Sequence, residues 1–367
     1  MRFMIVDTVY EAFLKALYQQ PGLANRSFAE QQAAQAEGFF NSAGTWAAPL
    51  RALGHEVLDV TANNLTMQLC WMIENDLLGV AKNCADGLIF GQTIIRQRQE
   101  TDWQLAFLAE QVKRFRPDVL LCANLYLCDD RFLTMVRGFY GKAVGQHAAP
   151  MPKSAFSLYD LIISALPSQA REFTDKGVRG EHLALAFDER VLPRLEERAP
   201  RHDAIFVGNI TPLHRERARL LAGVARRLPI AFWGGADWPA EVDTAGLKIA
   251  AHPPIWGLEM YQLLKDSRIV LNSHVDVAGP HAANLRMYEV TGAGALLLTD
   301  NKSDMARYFE PGRECVTYDG PEDCADKLAA LLAHPDEARA IAAAGHARTL
   351  REHTCTRRTD SLLALLA

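Results

Sequence analysis

Three residues in the second half of the chain carry chemistry at a telling spacing: Asn284, Arg286 and Glu289, within NSHVDVAGPHAANLRMYEVTGAGALLLTD, residues 272–300. Arg286 and Glu289 are three apart, so on a helix they share one face. A carboxylate there can accept both hydroxyls of a ribose. A guanidinium beside the unpaired N–H groups of a helix start can neutralise a diphosphate. The competing reading is a surface ion pair of little energetic consequence. The surrounding pattern reads as a strand, a polar loop Asn272–Pro280, a helix beginning near His281–Ala283, a glycine-containing stop and a second strand. That arrangement places the trio at the carboxyl end of a strand, where open α/β sheets bind ligands.

A second candidate lies upstream in FVGNITPLHRERARLL, where a strand ends at Val207 and Gly208 and Asn209 turn. Thr211 can cap the helix that follows, and Pro212 suits its first turn. The exposed N–H groups of such a start form a seat for phosphate, and Arg215 stands one turn in. The alternative is an ordinary strand-to-helix turn with a solvated basic helix.

For a group that removes a proton, His147 leads. It follows the strand KAVGQ in the polar loop QHAAPMP, and an imidazole titrates near neutrality. Asp7, which ends the first strand beside Tyr10 and Glu11, is the rival; His252 and His182 are weaker. A hydrogen-bonded loop histidine is the bland account of His147. No D-x-D acid pair of the kind that bridges a metal to a diphosphate is present, and in CDDR, residues 128–131, Asp129 or Asp130 reads as a helix cap. His274, Asp276 and His281 match no standard metal spacing, so no metal and no cofactor is expected. The tryptophans Trp46, Trp71, Trp103, Trp233, Trp238 and Trp256 read mainly as packing, with Trp233 the best placed to approach a base.

The elements that must position these groups alternate between short apolar runs and helical stretches, the pattern of parallel α/β sheets. Strands are expected at 3–6, 56–60, 118–124, 142–146, 160–165 and 180–185, with a long helical region over about 65–115. A second set follows at 203–210, 229–235, 247–252, 267–274, 295–300 and 314–319, and the chain ends in helices. In APLRALGHEVLDV, Gly54 ends a helix before a strand. The charged, proline-containing segment 188–202 reads as a linker between a domain 1–187 and a domain 203–350, with 351–367 a terminal helix that could pack back on the first domain. A length of 367 residues suits two domains, and 49% apolar with 23% charged residues excludes disorder. A net charge of −5 without a basic block argues against nucleic acid, and peripheral membrane contact has no basic cluster to drive it. Seven scattered cysteines without C-x-x-C, an N-terminus running straight into a strand, and no membrane-length apolar run point to a cytoplasmic, soluble chain.

FVGNITPLHRERARLL, PPIWGLEMYQLLKDSRIVLNSHVD and NLRMYEVTGAGALLLTDNKSDMARYFEPGRECVTYDG resemble the C-terminal half of GT-B glycosyltransferases of the family 1 and 4-like kind. Within these the chain is similar to the bacterial group related to the spore-maturation protein CgeB. YDLIISALPSQAREFTDKGVRGEHLALAFDERVL and GHEVLDVTANNLTMQLCW resemble that group's first half. The resemblance implies two doubly wound Rossmann-like domains facing across a cleft, an acceptor bound by the first, and a nucleotide-sugar donor bound by the second. Carried over by motif, Glu289 matches the glutamate that holds the ribose, and Asn284 and Arg286 match the N-x-R before it. Gly208 and Asn209 match the loop facing the donor phosphates, with Arg215 a helper. Two departures stand out. Where an E-x7-E motif would place its first acid the chain has His281, and VDTVYEAFLKALY replaces the N-terminal glycine loop. If transfer inverts, His147 or Asp7 deprotonates a hydroxyl acceptor; if it retains, they position substrate. A nucleotide-sugar epimerase and a non-catalytic nucleotide-sugar-binding protein on the same scaffold are the alternatives, whereas the absence of G-x-G-x-x-G disfavours a dehydrogenase.

Overall fold

The computed structural model describes all residues except 41–42, 81–84, 91–92, 98–101, 212–213 and 276–277. Its contacts divide the chain into two units, Met1–Leu183 and Ala184–Ala367.

The first unit is built on six parallel strands: β1 (Arg2–Asp7), β2 (Glu56–Thr61), β5 (Val119–Cys122), β6 (Lys142–Gln146), β7 (Leu161–Ser164) and β8 (Gly180–His182). They lie in the order β2-β1-β5-β6-β7-β8. Strands β5 and β7 are buried along their whole length, because helices cover both faces of a parallel sheet. That is why they read as unbroken apolar runs. Met4, Val6, Leu120 and Cys122 meet Leu105, Leu108 and Val112 of the helix Asp102–Phe115, together with Phe132, Phe156 and Phe173. The strand order reverses between β1 and β5, and there the Asn124 amide donates to Thr8 Oγ1 at 2.9 Å.

The expected helical region 65–115 is interrupted. Between the helices Leu65–Glu74 and Asp102–Phe115 lies an antiparallel hairpin of β3 (Ala85–Phe90) and β4 (Thr93–Gln97). Both strands contain β-branched isoleucine, a β-favouring signal set between strong helix formers on either side.

The second unit repeats the architecture with β9 (His202–Val207), β10 (Ile230–Trp233), β11 (Ile249–His252), β12 (Ser267–Asn272), β13 (Leu296–Asp300) and β14 (Val316–Tyr318). The order β11-β10-β9-β12-β13-β14 is that of dinucleotide-binding folds, with its switch point between β9 and β12. All twelve expected strands of the two parallel sheets are present. The segment read as a linker, 188–202, contains the 3₁₀ helix Glu189–Arg194 with Val191 fully buried. The terminal helix Cys355–Leu366 belongs to this unit. Phe187 bridges to Thr354, and the Glu189 carboxylate accepts from the Cys355 and Thr356 N–H groups at 3.0 and 3.2 Å. Among the described residues no helix is long and apolar enough to cross a membrane. Six free cysteines are buried; Cys84 lies outside the described residues.

Candidate active site

At the switch point of the second unit, two loops leave β9 and β12 side by side. The first begins at Gly208, whose φ of 154° suits glycine. Its neighbour on β10's exit is Gly234, also with φ 156°; a Cβ there would stand 2.0 Å from the Gly208 carbonyl. The two glycines therefore let two loop backbones touch. Asn209 locks that contact, accepting through Oδ1 from the Gly235 N–H at 2.9 Å, while the Ile210 N–H donates to the Gly235 carbonyl at 2.8 Å.

The helix after this loop starts at Arg215, with His214 as its N-cap. Thr211, the expected cap, instead engages the His214 ring through its hydroxyl at 3.0 Å, so the helix opens beyond it; Pro212 lies outside the described residues. The Arg215 side chain is 64% exposed and pairs with Glu241 at 3.3 Å. Arg217, unremarked in the sequence, turns inward: its Nη1 donates to the Asn209 carbonyl at 2.8 Å and its Nη2 to the Ser273 carbonyl at 3.1 Å.

The loop after β12 is held by side chains at and beyond the end of β13. Asp300 Oδ1 accepts from the His274 N–H at 3.0 Å and from His274 Nδ1 at 2.7 Å, and Lys302 lies 3.2 Å from the same carboxylate. Burial alone would raise the Asp300 pKa, but the hydrogen bonds and charge of His274, with Lys302, hold it at about 2. Further along, Asp304 accepts from the Ala282 N–H and from His281 Nδ1 at 2.7 and 2.8 Å. His274 and His281 thus bind different aspartates, and Asp276 lies outside the described residues.

The helix Leu285–Ala293 begins later than expected, because Asn284 is its N-cap and accepts from the Met287 N–H at 3.3 Å. Asn284 also donates to Asn272 Oδ1, at the end of β12, at 2.8 Å, which ties the helix start to the switch strand. Gly294, at φ 92°, ends the helix. Arg286 Nη1 sits 2.6 Å from Glu289 Oε2, and the two side chains are only 19% and 8% exposed. The surface-pair alternative is therefore excluded. The other Glu289 oxygen faces the hydroxyl of buried Tyr261 at 3.4 Å. Burial, followed by the Glu289 charge, pushes the Tyr261 hydroxyl well above its usual range, so it stays a donor.

In the first unit Asp7 is the last residue of β1, and its carbonyl accepts from the Ala62 N–H at 2.8 Å. His147 directly follows β6 and is 5% exposed. Its Nε2 lies 3.0 Å from the Pro150 carbonyl, and its ring meets Tyr126 and Phe173 edge-on. Burial lowers its pKa, so the ring stays neutral to lower pH than a free histidine. Asp129 caps the helix Asp130–Met135 as expected, accepting from the Phe132 N–H. Trp233, the expected base platform, has its face covered by His252, stacked at 4.2 Å. Trp46 is buried and donates to Gln146 at 2.8 Å, and Trp71 and Trp103 are core.

A family model described as Glycosyl transferase-like matches residues 215–364, which contain Asn284, Arg286 and Glu289. No curated protein sequence matches the chain. Among solved structures, Anabaena HepE in complex with UDP-glucose is similar over 100% of this chain and 99% of its own, at 11% identity and a TM-score of 0.58. A glycosyltransferase from Rickettsia africae matches over 99% and 97%, at 10% identity and a TM-score of 0.57. Sucrose-phosphate synthase from Thermosynechococcus elongatus matches over 100% and 99%, at 12% identity and a TM-score of 0.54. These likenesses span both units and establish the fold.

Proposed function

From a chain that has the GT-B glycosyltransferase fold throughout and a glycosyl transferase-like domain over residues 215–364, we infer that it moves a sugar from a nucleotide-sugar donor to a hydroxyl acceptor. The observation that carries this reading is the buried Arg286–Glu289 pair within the matched domain, on a helix tied by Asn284 to the end of β12. Buried ion pairs are weak stabilisers, because desolvation offsets most of the attraction. Retaining one beside a switch point argues for a ligand.

In this proposal Glu289 accepts the ribose hydroxyls, while Asn284 and Arg286 face the diphosphate. Gly208 and Asn209 form the opposing loop, with Arg215 assisting from the helix start. As the donor's sugar–oxygen bond breaks, negative charge grows on the leaving diphosphate. Arg286 and the N–H groups of the two helix starts stabilise it there, in place of a metal. His147, kept neutral by burial, or Asp7 takes the acceptor's proton if transfer inverts, and positions the acceptor if it retains. HepE is solved with UDP and with UDP-glucose, which supports a uridine donor as the first to try. The narrower kinship to the CgeB-related group and a cytoplasmic location belong to the same proposal.

The test is a thermal-shift screen of UDP, GDP, TDP, ADP and CMP on wild type and Glu289→Ala, with and without EDTA. One nucleotide is expected to raise the melting temperature of wild type, unaffected by EDTA, and not that of the variant. Stabilisation by none of them at millimolar concentration would sink the transferase reading.

A further inference from the structure

We propose that Arg217 is a positioning residue of the donor site, a strut that fixes one peptide plane in each of the loops after β9 and β12 so that the nucleoside diphosphate of the donor meets a preformed crevice. The proposal rests on the donor-binding reading above. Its basis is four hydrogen bonds, from three groups, that hold two peptides. The peptide joining Ser273 to His274 is gripped at its carbonyl by Arg217 Nη2, at 3.1 Å, and at its N–H by Asp300, at 3.0 Å. The peptide joining Asn209 to Ile210 is gripped at its carbonyl by Arg217 Nη1, at 2.8 Å, and at its N–H by the Gly235 carbonyl, also at 2.8 Å. One guanidinium thus sets the orientation of a peptide plane on each side of the switch point. The planar fork suits this, since its two outer nitrogens diverge at a fixed angle.

The guanidinium is itself held in place. Its central carbon lies 5.6 Å from the centre of the Phe206 ring in β9. The aspartate at the far end of the Ser273–His274 peptide is equally fixed, since Asp300 is kept ionised by His274 and Lys302. Ligand sites in this architecture lie outside the carboxyl ends of the strands at the switch point, which is the gap these two peptides border. A site whose walls are set before binding loses less ordering entropy when the ligand arrives. Through these two carbonyls Arg217 places the N–H groups and side chains that face the donor.

The experiment has two arms on the full chain, using Arg217→Ala, Arg217→Lys and, as an exposed control on the same helix, Arg219→Ala. In the first, hydrogen exchange of the ligand-free protein is compared over 208–211 and 272–275. Arg217→Ala is expected to speed exchange in both segments together, by about tenfold or more, leaving the interiors of β9 and β12 protected. In the second, the affinity for UDP is measured, or for whichever nucleotide stabilises wild type. It is expected to fall by roughly ten- to hundredfold in Arg217→Ala with little change in melting temperature. Millimolar guanidinium is expected to restore part of that affinity, and Arg217→Lys, a single point charge that cannot span two carbonyls, should recover less than half of the loss. Arg219→Ala should match wild type. Unchanged exchange in the two segments overturns the strut. Faster exchange with unchanged nucleotide affinity overturns its role in the donor site. Absence of any nucleotide binding by wild type overturns the donor reading instead, and the exchange arm still decides the strut.

Discussion

Glu289 is a residue whose two uses compete. It is the expected ribose ligand, and it is also the partner that keeps Arg286 from being an unpaired buried charge. Removing one partner of a buried pair costs about 3–5 kcal/mol, whatever the ligand does. Glu289→Ala is therefore expected to lose nucleotide binding and much stability together. Glu289→Gln keeps the volume and one acceptor oxygen, which can face Arg286 while the amide NH2 donates to the Tyr261 oxygen. It should lose most of the nucleotide-induced shift while melting within a few degrees of wild type, and a Gln variant that binds as wild type would remove Glu289 from the site. That Arg286 and Glu289 share a helix face was legible in the sequence because they are three residues apart beside a strand end. Which arginine of the helix after β9 turns inward was not. Arg215 and Arg217 are two residues apart, roughly 200° around a helix, so they face nearly opposite ways. The helix start that decides which one faces the sheet depends on His214, and no local signal marked it.

Among the elements, the helix Leu285–Ala293 is positioned from three sides: Asn284 at its start, Tyr261 beside Glu289, and Phe187 against Gly292. A Cβ at Gly292 would stand 2.3 Å from the Phe187 ring, which is fully buried and packs edge-on against Tyr261 at 5.9 Å. The ring has nowhere to go. Gly292→Ala should therefore destabilise the protein by about 1–3 kcal/mol in denaturant unfolding. Combining it with Phe187→Leu should recover part of the loss; strict additivity of the two would show that they do not share this contact. Central strands such as β5 and β7 were legible because burial on both faces writes continuous apolar runs. The hairpin of β3 and β4 was not, because its residues are flanked by strong helix formers and its pairing is decided between two strands rather than within either. Helix starts drifted for a similar reason: caps are set by tertiary hydrogen bonds such as Asn284 to Asn272.

At the scale of the whole molecule, acid sensitivity should trace to the second unit. His353 is buried, its Nε2 lying 3.0 Å from the Tyr308 carbonyl. Burial, abetted by the Arg358 and Arg348 charges, lowers its pKa from 6.5 to about 4. The unfolded chain takes up that proton below pH 6.5 while the folded chain refuses it until about pH 4. Stability is therefore full above pH 6.5 and falls between the two values, by on the order of 3 kcal/mol. Urea unfolding at steps from pH 7 to pH 4 should show this slope, and His353→Gln should flatten it; an equal slope in the variant would assign the loss to other groups.

Phe187 lies near the start of the second unit and Thr354 at the foot of its last helix, and the two are paired as neighbouring strand residues, with the Phe187 N–H on the His353 carbonyl and the Cys355 N–H on the Phe187 carbonyl, both at 2.8 Å. The residue near the start of this unit and the cap of its last helix thus meet at one stitch. The two segments, more than 160 residues apart in sequence, therefore hold or let go together: the helix Cys355–Leu366 cannot leave its place without unmaking both hydrogen bonds on Phe187.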